Sequence, residues 1–304
     1  MKLDSIFRRR ILWSIFIYKL SEERDFLKVE NREPIIFFGE RGFRQDISYQ
    51  ATVADPFLFT HNARLYLFYE VKTDFGVGEI WAKSMNTEGE WENHGPVLKE
   101  KFHLSYPQVF SYKEKIWMIP EAASSGKVWL YSSESFPFQW RRSRVLIEEP
   151  LVDPSLLIRE DGLYLLGTTR DSELKLFHSN ELHNSFRDTG ITVTKDRTVS
   201  RNAGAPLLLR GMGVYRVAQD CKESYGQNIS ILKINKISSL EYSEEVVLPK
   251  LYQKKPKWMA LGCHHISMTT FQSEVYVAVD GMRKDSYFNT LSLARLKLMK
   301  IFKR

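Results

Sequence analysis

Short apolar runs separated by polar turns make up most of this sequence. The runs are too short for helices, and no apolar period of 3.6 residues is sustained along the chain. Two runs joined by a few turn residues are typical of a β-hairpin. Five such pairs follow one another, and their second strands are predicted at 65–69, 116–119, 163–166, 214–218 and 275–279. The pattern therefore predicts an all-β protein.

A motif built around proline opens each pair. Val53–Phe59 reads VADPFLF, and related strings follow at 104–110, 152–158 and 203–209, with a weaker one at 263–268. The copies recur at a period of about 50 residues, which indicates a propeller or a solenoid. We also predict third strands at 79–84, 127–132, 174–179, 229–234 and 291–296, and fourth strands near 97–98, 144–147, 191–194 and 245–248.

Five units of about four strands describe a five-bladed β-propeller. We expect one domain over residues 1–304, with blades near 53–98, 104–147, 152–194, 203–248 and 263–297. The fifth unit contains only three of the predicted strands. Because an unpaired strand edge is a liability, we predict that an N-terminal strand within residues 11–38 closes the ring as the outer strand of the last blade.

The apolar run Ile11–Tyr18 follows three arginines and has two other interpretations. It resembles the core of a signal peptide, but no small-residue cleavage site follows it, and it is too short to cross a bilayer. A basic helix on a membrane surface stays open as an alternative. We therefore expect a cytoplasmic protein, with peripheral attachment to the inner membrane as the less favoured alternative.

Composition narrows the classes of partner. Of the 304 residues 13% are aromatic, which suits a β-rich core and also the stacking of sugar rings, and the net charge is +7. The basic residues are scattered except at 8–10 and 254–257, so we do not expect a nucleic-acid partner. The two cysteines, Cys221 and Cys263, imply no disulfide framework.

Propeller geometry brings the candidate chemistry together. The first strand of a blade lines the central channel, so the start of each first strand and the end of each second strand lie at one mouth. The first group contains Asp55, Tyr106, Asp153, residues 201–205, His264 and His265, and the second contains Glu70, Glu121, Thr169, Asp220 and Asp280. Six carboxylates in one pocket of a net positive chain indicate an acid–base pair or a metal site.

The repeat separates structural positions from candidate chemical ones. Proline and the apolar run recur in the copies, whereas the aspartate at Asp55 is replaced by Tyr106 in the second copy and returns at Asp153. Each acid also has a structural interpretation: an aspartate before proline often starts a strand or caps a turn, and Glu70 and Glu121 fit solvated strand ends.

The sequence gives little support for a cofactor. His264 and His265 lack the spacing of a zinc site, and successive residues of a strand face opposite ways. A structural or axial Ca²⁺ on the carboxylates stays open, because a hard cation prefers oxygen ligands. No glycine-rich phosphate loop and no nucleophile elbow occur in the sequence.

Several long strings carry a resemblance to a known family. They are VADPF, LFYE, GEIWAKS, FHLSYPQVF, WMIPE, VWLYSSESFPFQW, LVDPSLL, YRVAQDC and SYGQNIS. In these strings the chain resembles the propeller domain at the N-terminus of plant glucosamine inositolphosphorylceramide transferases, a family with stand-alone bacterial relatives. The resemblance runs from about Trp13 to Glu244. More distantly, the pattern is similar to the five-bladed propellers of glycoside hydrolase families 43, 32 and 68.

This resemblance implies three acidic residues at the channel mouth. Asp55 matches the base or nucleophile of the first blade, Asp153 the aspartate that orients or tunes, and Glu121 the acid, although Glu121 precedes Asp153 in this chain. Substrate-binding roles are expected for Glu70, Tyr106, Arg201, Gln219, Asp220, His264, His265 and Asp280.

We therefore expect a carbohydrate-active enzyme that makes or breaks a glycosidic bond. Family context and the expected location favour glycosyl transfer in surface polysaccharide synthesis over hydrolysis. The other alternative is a non-catalytic glycan-binding or scaffold propeller that serves a separate glycosyltransferase. The expected ligand is a carbohydrate, a nucleotide sugar or a glycolipid. Carboxylates that face each other across a pocket would favour the enzyme, and carboxylates that point at solvent or at backbone amides would favour the binding module.

Overall fold

The computed structural model describes residues 7–38, 52–72 and 76–288, with side chains described for all of these except 7–10 and 285–288. Short 3-10 helices lie at Glu23–Asn31, Ala123–Ser125 and Lys257–Met259. The strands are β1 (Phe7–Leu20), β2 (Ile36–Phe38), β3 (Thr52–His61), β4 (Arg64–Lys72), β5 (Glu79–Met85), β6 (Trp91–Leu98), β7 (Ser105–Tyr112), β8 (Lys115–Glu121), β9 (Val128–Ser135), β10 (Gln139–Ile147), β11 (Val152–Arg159), β12 (Gly162–Thr168), β13 (Leu174–Ser179), β14 (Arg187–Thr194), β15 (Arg201–Asn202), β16 (Leu207–Leu209), β17 (Gly213–Asp220), β18 (Asn228–Ile237), β19 (Tyr242–Leu248), β20 (Ile266–Phe271) and β21 (Glu274–Phe288).

These strands form five antiparallel sheets, which are the blades of a propeller. Blades 1 to 3 are simple meanders in chain order: β3 to β6, β7 to β10, and β11 to β14. In blade 4 the first strand is divided into β15 and β16, which both pair with β17 ahead of β18 and β19. The predicted five-bladed all-β fold is confirmed.

Blade 5 is built from distant parts of the chain, in the order β20, β21, β1, β2. Strand β1 pairs with β21 from Leu20 opposite Val275 to Phe7 opposite Phe288. The prediction that an N-terminal strand closes the ring is confirmed, but the segment supplies both the third and the outer strand. The predicted third strand at 291–296 lies outside the described residues.

The interpretation of Ile11–Tyr18 as a membrane-surface helix is wrong, because these residues are hydrogen-bonded within β1. No helix in the described part of the chain is long and apolar enough to span a bilayer.

The hydrophobic core consists of five clusters, each between two neighbouring blades. Alternate residues of a strand face opposite ways, so β1 serves two of these clusters. Ile15 and Ile17 pack toward blade 1, whereas Phe16 and Tyr18 pack toward blade 4. The other clusters join blades 1 and 2, 2 and 3, and 3 and 4. Because every blade is packed on both sides, the sheets form a closed ring.

Candidate functional site

The first strands of blades 1, 2 and 3 bulge at the same place. Asp55, Tyr106 and Asp153 have φ angles of 53°, 49° and 47°, in the left-handed region that residues other than glycine rarely adopt. The pairing register with the second strand shifts at each of these points. The repeated motif therefore encodes a bulge at the channel mouth.

A carboxylate accepts the backbone N–H of each bulge residue. Asp280 Oδ2 accepts from Asp55 at 3.2 Å, Asp55 Oδ2 from Tyr106 at 3.1 Å, and Glu121 Oε2 from Asp153 at 3.1 Å. These bonds link blade 5 to blade 1, blade 1 to blade 2, and blade 2 to blade 3. Three of the carboxylates at the mouth therefore hold neighbouring blades of the ring together.

Asp153 is the centre of a charged group that links blades 2, 3 and 4. Its Oδ2 accepts from Arg201 Nε at 2.6 Å and from Gln219 Nε2 at 2.7 Å. The guanidinium of Arg201 also lies 4.0 Å from Glu121 Oε2. Burial raises the pKa of Glu121 well above its usual range, and the negative charge of Asp153 raises it further. Glu121 therefore holds its proton more tightly than an ordinary glutamic acid, beside a charge-paired Asp153.

Asp55, His264 and Asp280 form a second group. Asp280 is fully buried and accepts the backbone N–H groups of His264 and His265, each at 2.9 Å. Its Oδ2 lies 2.5 Å from His264 Nδ1, while His264 Nε2 lies 3.8 Å from Asp55 Oδ1. Burial alone would lower the pKa of His264, but the Asp280 carboxylate raises this pKa to about 9. The pair is therefore an imidazolium beside a carboxylate at neutral pH.

The pKa of Asp55 itself lies near neutral pH. Burial raises its pKa to about 7, although the charge on His264 opposes the shift. One of its oxygens is held by the amide of Tyr106, and the other faces the rings of His264 and His265 at 3.8 and 3.6 Å. Asp55 can therefore exist as an acid or as a carboxylate near pH 7.

Tyr106 and His265 are buried inside the channel. The hydroxyl of Tyr106 shares a hydrogen bond with Ser155 Oγ at 2.7 Å and accepts the N–H of Gly204 at 2.7 Å. The His265 ring lies edge-on to Phe57 and Tyr106, and burial lowers its pKa to about 3. Both side chains fill the channel below the mouth.

A cavity of about 460 Å³ opens at the mouth, beside these buried groups. Trp13 stacks on the ring of His264 with 3.9 Å between centroids, and Tyr225 lies edge-on to His264 at 5.2 Å. The Arg201 guanidinium lies 4.9 Å from the Tyr225 ring centroid. An aromatic wall beside a few polar groups is typical of a small-molecule site. The lining residues are Ile11, Trp13, Thr52, Ala54, Glu70, Lys72, His103, Tyr225 and His264.

The sequence-predicted residues thus fall into separate sets. Glu70 and His264 line the cavity, whereas the carboxylates of Asp55, Glu121, Asp153 and Asp280 do not. Asp220 turns its carboxylate to the backbone N–H of Lys222 at 3.1 Å. Trp13, Lys72, His103 and Tyr225 were not predicted as site residues. For Tyr225 the signal was its position in the loop after Asp220.

Asp55, His264 and Asp280 each place one possible metal-ligand atom within 4.8 Å of the others. Both oxygens of Asp280 and one of Asp55 already accept hydrogen bonds from the protein. Calcium takes six to eight oxygen ligands, and a cation here would compete with the charge on His264. These ligand atoms therefore fit the ion pair between His264 and Asp280 better than they fit a bound Ca²⁺.

The fold and this mouth define a class: five-bladed propellers with an acid-rich pocket at the channel mouth. The chain is similar in structure to an α-L-arabinofuranosidase from Clostridium thermocellum, with a TM-score of 0.53 and 15% identity, over 74% of this chain and 81% of that one. It is also similar to the catalytic domain of a Coprinopsis cinerea GH62 α-L-arabinofuranosidase, with a TM-score of 0.56 and 10% identity, over 75% and 90% of the two chains. At these identities the likeness shows the fold.

The chain belongs to the family described as "Glucosamine inositolphosphorylceramide transferase 1, N-terminal", whose profile matches residues 42–282. It is 34% identical over 255 residues to glucosamine inositolphosphorylceramide transferase 1 of Oryza sativa subsp. japonica, over 77% of this chain and 34% of that protein. It is likewise 34% identical over 260 residues to the Arabidopsis thaliana protein of the same name, over 77% of this chain and 32% of that protein. The chain thus spans about a third of the length of these relatives.

Proposed function

We propose that this propeller acts on a glycosidic bond, with transfer of a sugar during synthesis of a surface glycan or polysaccharide favoured over hydrolysis. The observation that carries the proposal is that the carboxyl groups at one mouth of the channel differ in their charge pairing and their pKa. Asp153 is charge-paired with Arg201, whereas burial raises the pKa of Asp55 to about 7, that of Glu70 to about 8 and that of Glu121 well above its usual range. Glycosidic chemistry needs such a pairing of a carboxylate with a carboxylic acid.

Asp55 is proposed as the base or nucleophile. Its backbone is fixed in the bulge, and one oxygen is held by Tyr106, which leaves Oδ1 directed at His264 and His265. Deprotonation would let it attack the anomeric carbon or take the proton of an acceptor hydroxyl. Two carboxyl groups, Glu121 and Glu70, hold a proton that the leaving oxygen requires.

The ligand is proposed to be a sugar nucleotide or a glycolipid, because the wall formed by Trp13 and Tyr225 suits a sugar ring and the relatives are named for glucosamine and inositolphosphorylceramide. A cytoplasmic location is part of the same proposal. A separate glycosyltransferase is the proposed protein partner, because the relatives are named as transferases.

A second candidate is a non-catalytic glycan-binding propeller. This alternative is favoured by the hydrogen bonds that Asp55 Oδ2 and Glu121 Oε2 accept from backbone N–H groups of the next blade. A carboxylate that joins two blades has a structural role that explains its presence without catalysis. Under this alternative the aromatic wall would bind the glycan and the buried acids would only hold the ring together.

A ligand screen with turnover assays separates these candidates. UDP-glucose, UDP-N-acetylglucosamine, inositol phosphate and a panel of aryl glycosides are tested with wild type, Asp55→Asn and Glu245→Gln. Glu245 is exposed on the outer strand β19 and serves as the matched control. We expect wild type and the control to turn over one of these compounds, and Asp55→Asn to be about 10²–10⁴-fold slower. Thermal stabilisation without turnover would instead support the binding module.

A further inference from the structure

Glu70 is the acid at the wall of the cavity itself. It lies near the end of β4, opposite Ala54, and its neighbour along the cavity wall is His103. Among the described residues that line the cavity, Glu70 is the one with a carboxyl group. Asp55 and Asp153 are more deeply buried than Glu70, and Glu121, although 13% exposed, does not line this cavity, so a ligand in the cavity would meet Glu70 first.

The tautomer of His103 bears on which oxygen of Glu70 carries a proton. The backbone N–H of Gly78 donates to His103 Nδ1 at 2.9 Å, so the ring proton of the neutral imidazole is on Nε2. His103 Nε2 lies 3.3 Å from Glu70 Oε1. Burial and the nearby Lys72 lower the pKa of His103, which keeps the ring neutral. The N–H of His103 therefore lies beside Glu70 Oε1, which favours the proton of a neutral Glu70 on Oε2.

Gly78 allows this arrangement because it has no side chain. A Cβ at this position would lie 2.6 Å from His103 Cε1 and 2.7 Å from Glu70 Oε1. Gly78 is a donor to His103 and also an acceptor: its carbonyl accepts from the N–H of Leu104 at 3.0 Å. The segment around Gly78 and the segment 103–104 are thus joined by two hydrogen bonds, which fix the imidazole against Glu70.

The surroundings keep a proton on Glu70 at neutral pH. Burial raises its pKa to about 8, and the negative charges of Asp55 and Asp280 add to the shift. The charges on His264 and Lys72 oppose it without cancelling it. The side chain of Glu70 still keeps 12% of its surface exposed, on the side of the cavity.

We propose that Glu70 is the proton donor of this cavity and that His103, held by Gly78, is its positioning residue. The inference rests on the proposed action on a glycosidic bond. Glu121, the other glutamate at the mouth whose pKa is raised, has its Oε2 engaged by the N–H of Asp153 and does not line the cavity.

In the proposed step the proton on Glu70 Oε2 moves to the glycosidic oxygen. The bond between that oxygen and the anomeric carbon breaks, and its electron pair stays with the oxygen. Glu70 becomes a carboxylate whose Oε1 lies 3.3 Å from His103 Nε2, with Lys72 nearby. The anomeric carbon gains a new bond, either to Asp55 or to an acceptor oxygen whose proton passes to Asp55.

The protonation of Glu70 is tested without a substrate. Infrared difference spectra between wild type and Glu70→Gln are recorded as a function of pH, with Glu245→Gln as the exposed control. We expect a carboxylic-acid carbonyl band that is absent in Glu70→Gln and disappears as the pH rises through about 8. His103→Leu should shift this titration, and His103→Gln, whose amide can accept and donate, should restore it in part. A Glu70 that is already ionised at pH 6 would overturn the proposal.

The donor role is tested with aryl glycosides that differ in their leaving group. A phenyl glycoside needs a proton on the leaving oxygen, whereas a 2,4-dinitrophenyl glycoside leaves without one. We expect Glu70→Gln to be at least about 100-fold slower on the phenyl glycoside and much less affected on the dinitrophenyl one, with Glu245→Gln unchanged.

The two tests separate the possible failures. If Glu121→Gln shows the leaving-group dependence and Glu70→Gln does not, Glu121 is the donor and the inference is wrong. If wild type turns over none of the glycosides or sugar nucleotides, the proposed function fails and the donor role fails with it. The infrared titration then still decides whether His103 and Gly78 keep Glu70 protonated.

Discussion

The carboxylate of Asp280 accepts a hydrogen bond from the backbone N–H of Asp55 across the closure of the ring, at 3.2 Å. Asp280 is in β21 of blade 5, and Asp55 is in the first strand of blade 1. The same carboxylate pairs with the ring of His264 and accepts two further backbone N–H groups. One buried side chain therefore joins the last blade to the first and sets the charge of a residue at the cavity.

Asp280→Asn should strongly destabilise the protein. The amide keeps the size of the side chain but removes its charge, which leaves the imidazolium of His264 without its buried partner. We expect the free energy of unfolding at pH 7 to fall by about 3–5 kcal/mol, measured by urea titration. The pKa of His264, measured by NMR, should also fall from about 9.

Asp161→Asn is the matched control, because Asp161 forms an exposed pair with Arg159. Its effect should stay below about 1 kcal/mol. Equal stability of the two variants would contradict the structural role assigned to Asp280.

Tyr106→Phe should cost more stability than its single missing oxygen suggests. The buried hydroxyl joins blade 2 to Ser155 in blade 3 and to Gly204 in blade 4, so its removal leaves the Gly204 N–H without its acceptor. We expect a loss of about 1–3 kcal/mol in the free energy of unfolding. Tyr112→Phe, which removes a hydroxyl bonded to the more exposed Glu181, should cost less than about 1 kcal/mol. The reverse order of the two variants would be incompatible with this role for Tyr106.

Local pattern was enough to predict most of the strands. The run 174–179 coincides with β13, and the second strands were all found, because alternation and turn residues are properties of a short segment. Blade 5 was only partly predicted. The run at 12–18 lies in β1, which pairs with β21, and pairing between segments so distant in the chain leaves no local signal in the sequence.

The site was predicted less completely than the fold. Asp55 and Asp153 were predicted as site residues because Tyr106 takes the same position in another copy of the motif. The left-handed φ that all three residues share cannot be read from the residue types. The link from Arg201 to Asp153 depends on the spacing of two blades in space. His103 was missed because it lies in a loop, where neither period nor motif marks it.

Strand β1 offers a direct test of its place in the ring. Phe16 is fully buried between blades 4 and 5, whereas Ile11, on the same strand, is 56% exposed. Phe16→Ala should lower the free energy of unfolding by about 3–5 kcal/mol in urea titration. Ile11→Ala should change it by about 0.5 kcal/mol or less, as expected of a surface position. Similar effects of the two substitutions would argue against the observed register of β1.

Stability should fall as the pH rises from 6.5 to 9. Burial raises the pKa of Asp55 to about 7 and of Glu70 to about 8, and the carboxylate of Asp280 raises that of His264 to about 9 despite burial. A group with a raised pKa binds more protons when folded than when unfolded. Its contribution is full below the unfolded pKa and is lost as the pH rises through the folded one.

The opposite shift of His265, to about 3, leaves its contribution constant above about pH 6.5. The free energy of unfolding of wild type should therefore decrease with pH, by at most about 1.4 kcal/mol per pH unit for each titrating group. Glu70→Gln should flatten the curve between pH 6.5 and about 8, because the amide does not titrate, and Glu245→Gln should leave the slope unchanged. Urea titrations at half-unit steps of pH measure the slope. A wild-type curve that is flat or rises over this range would contradict the protonated states assigned to the channel mouth.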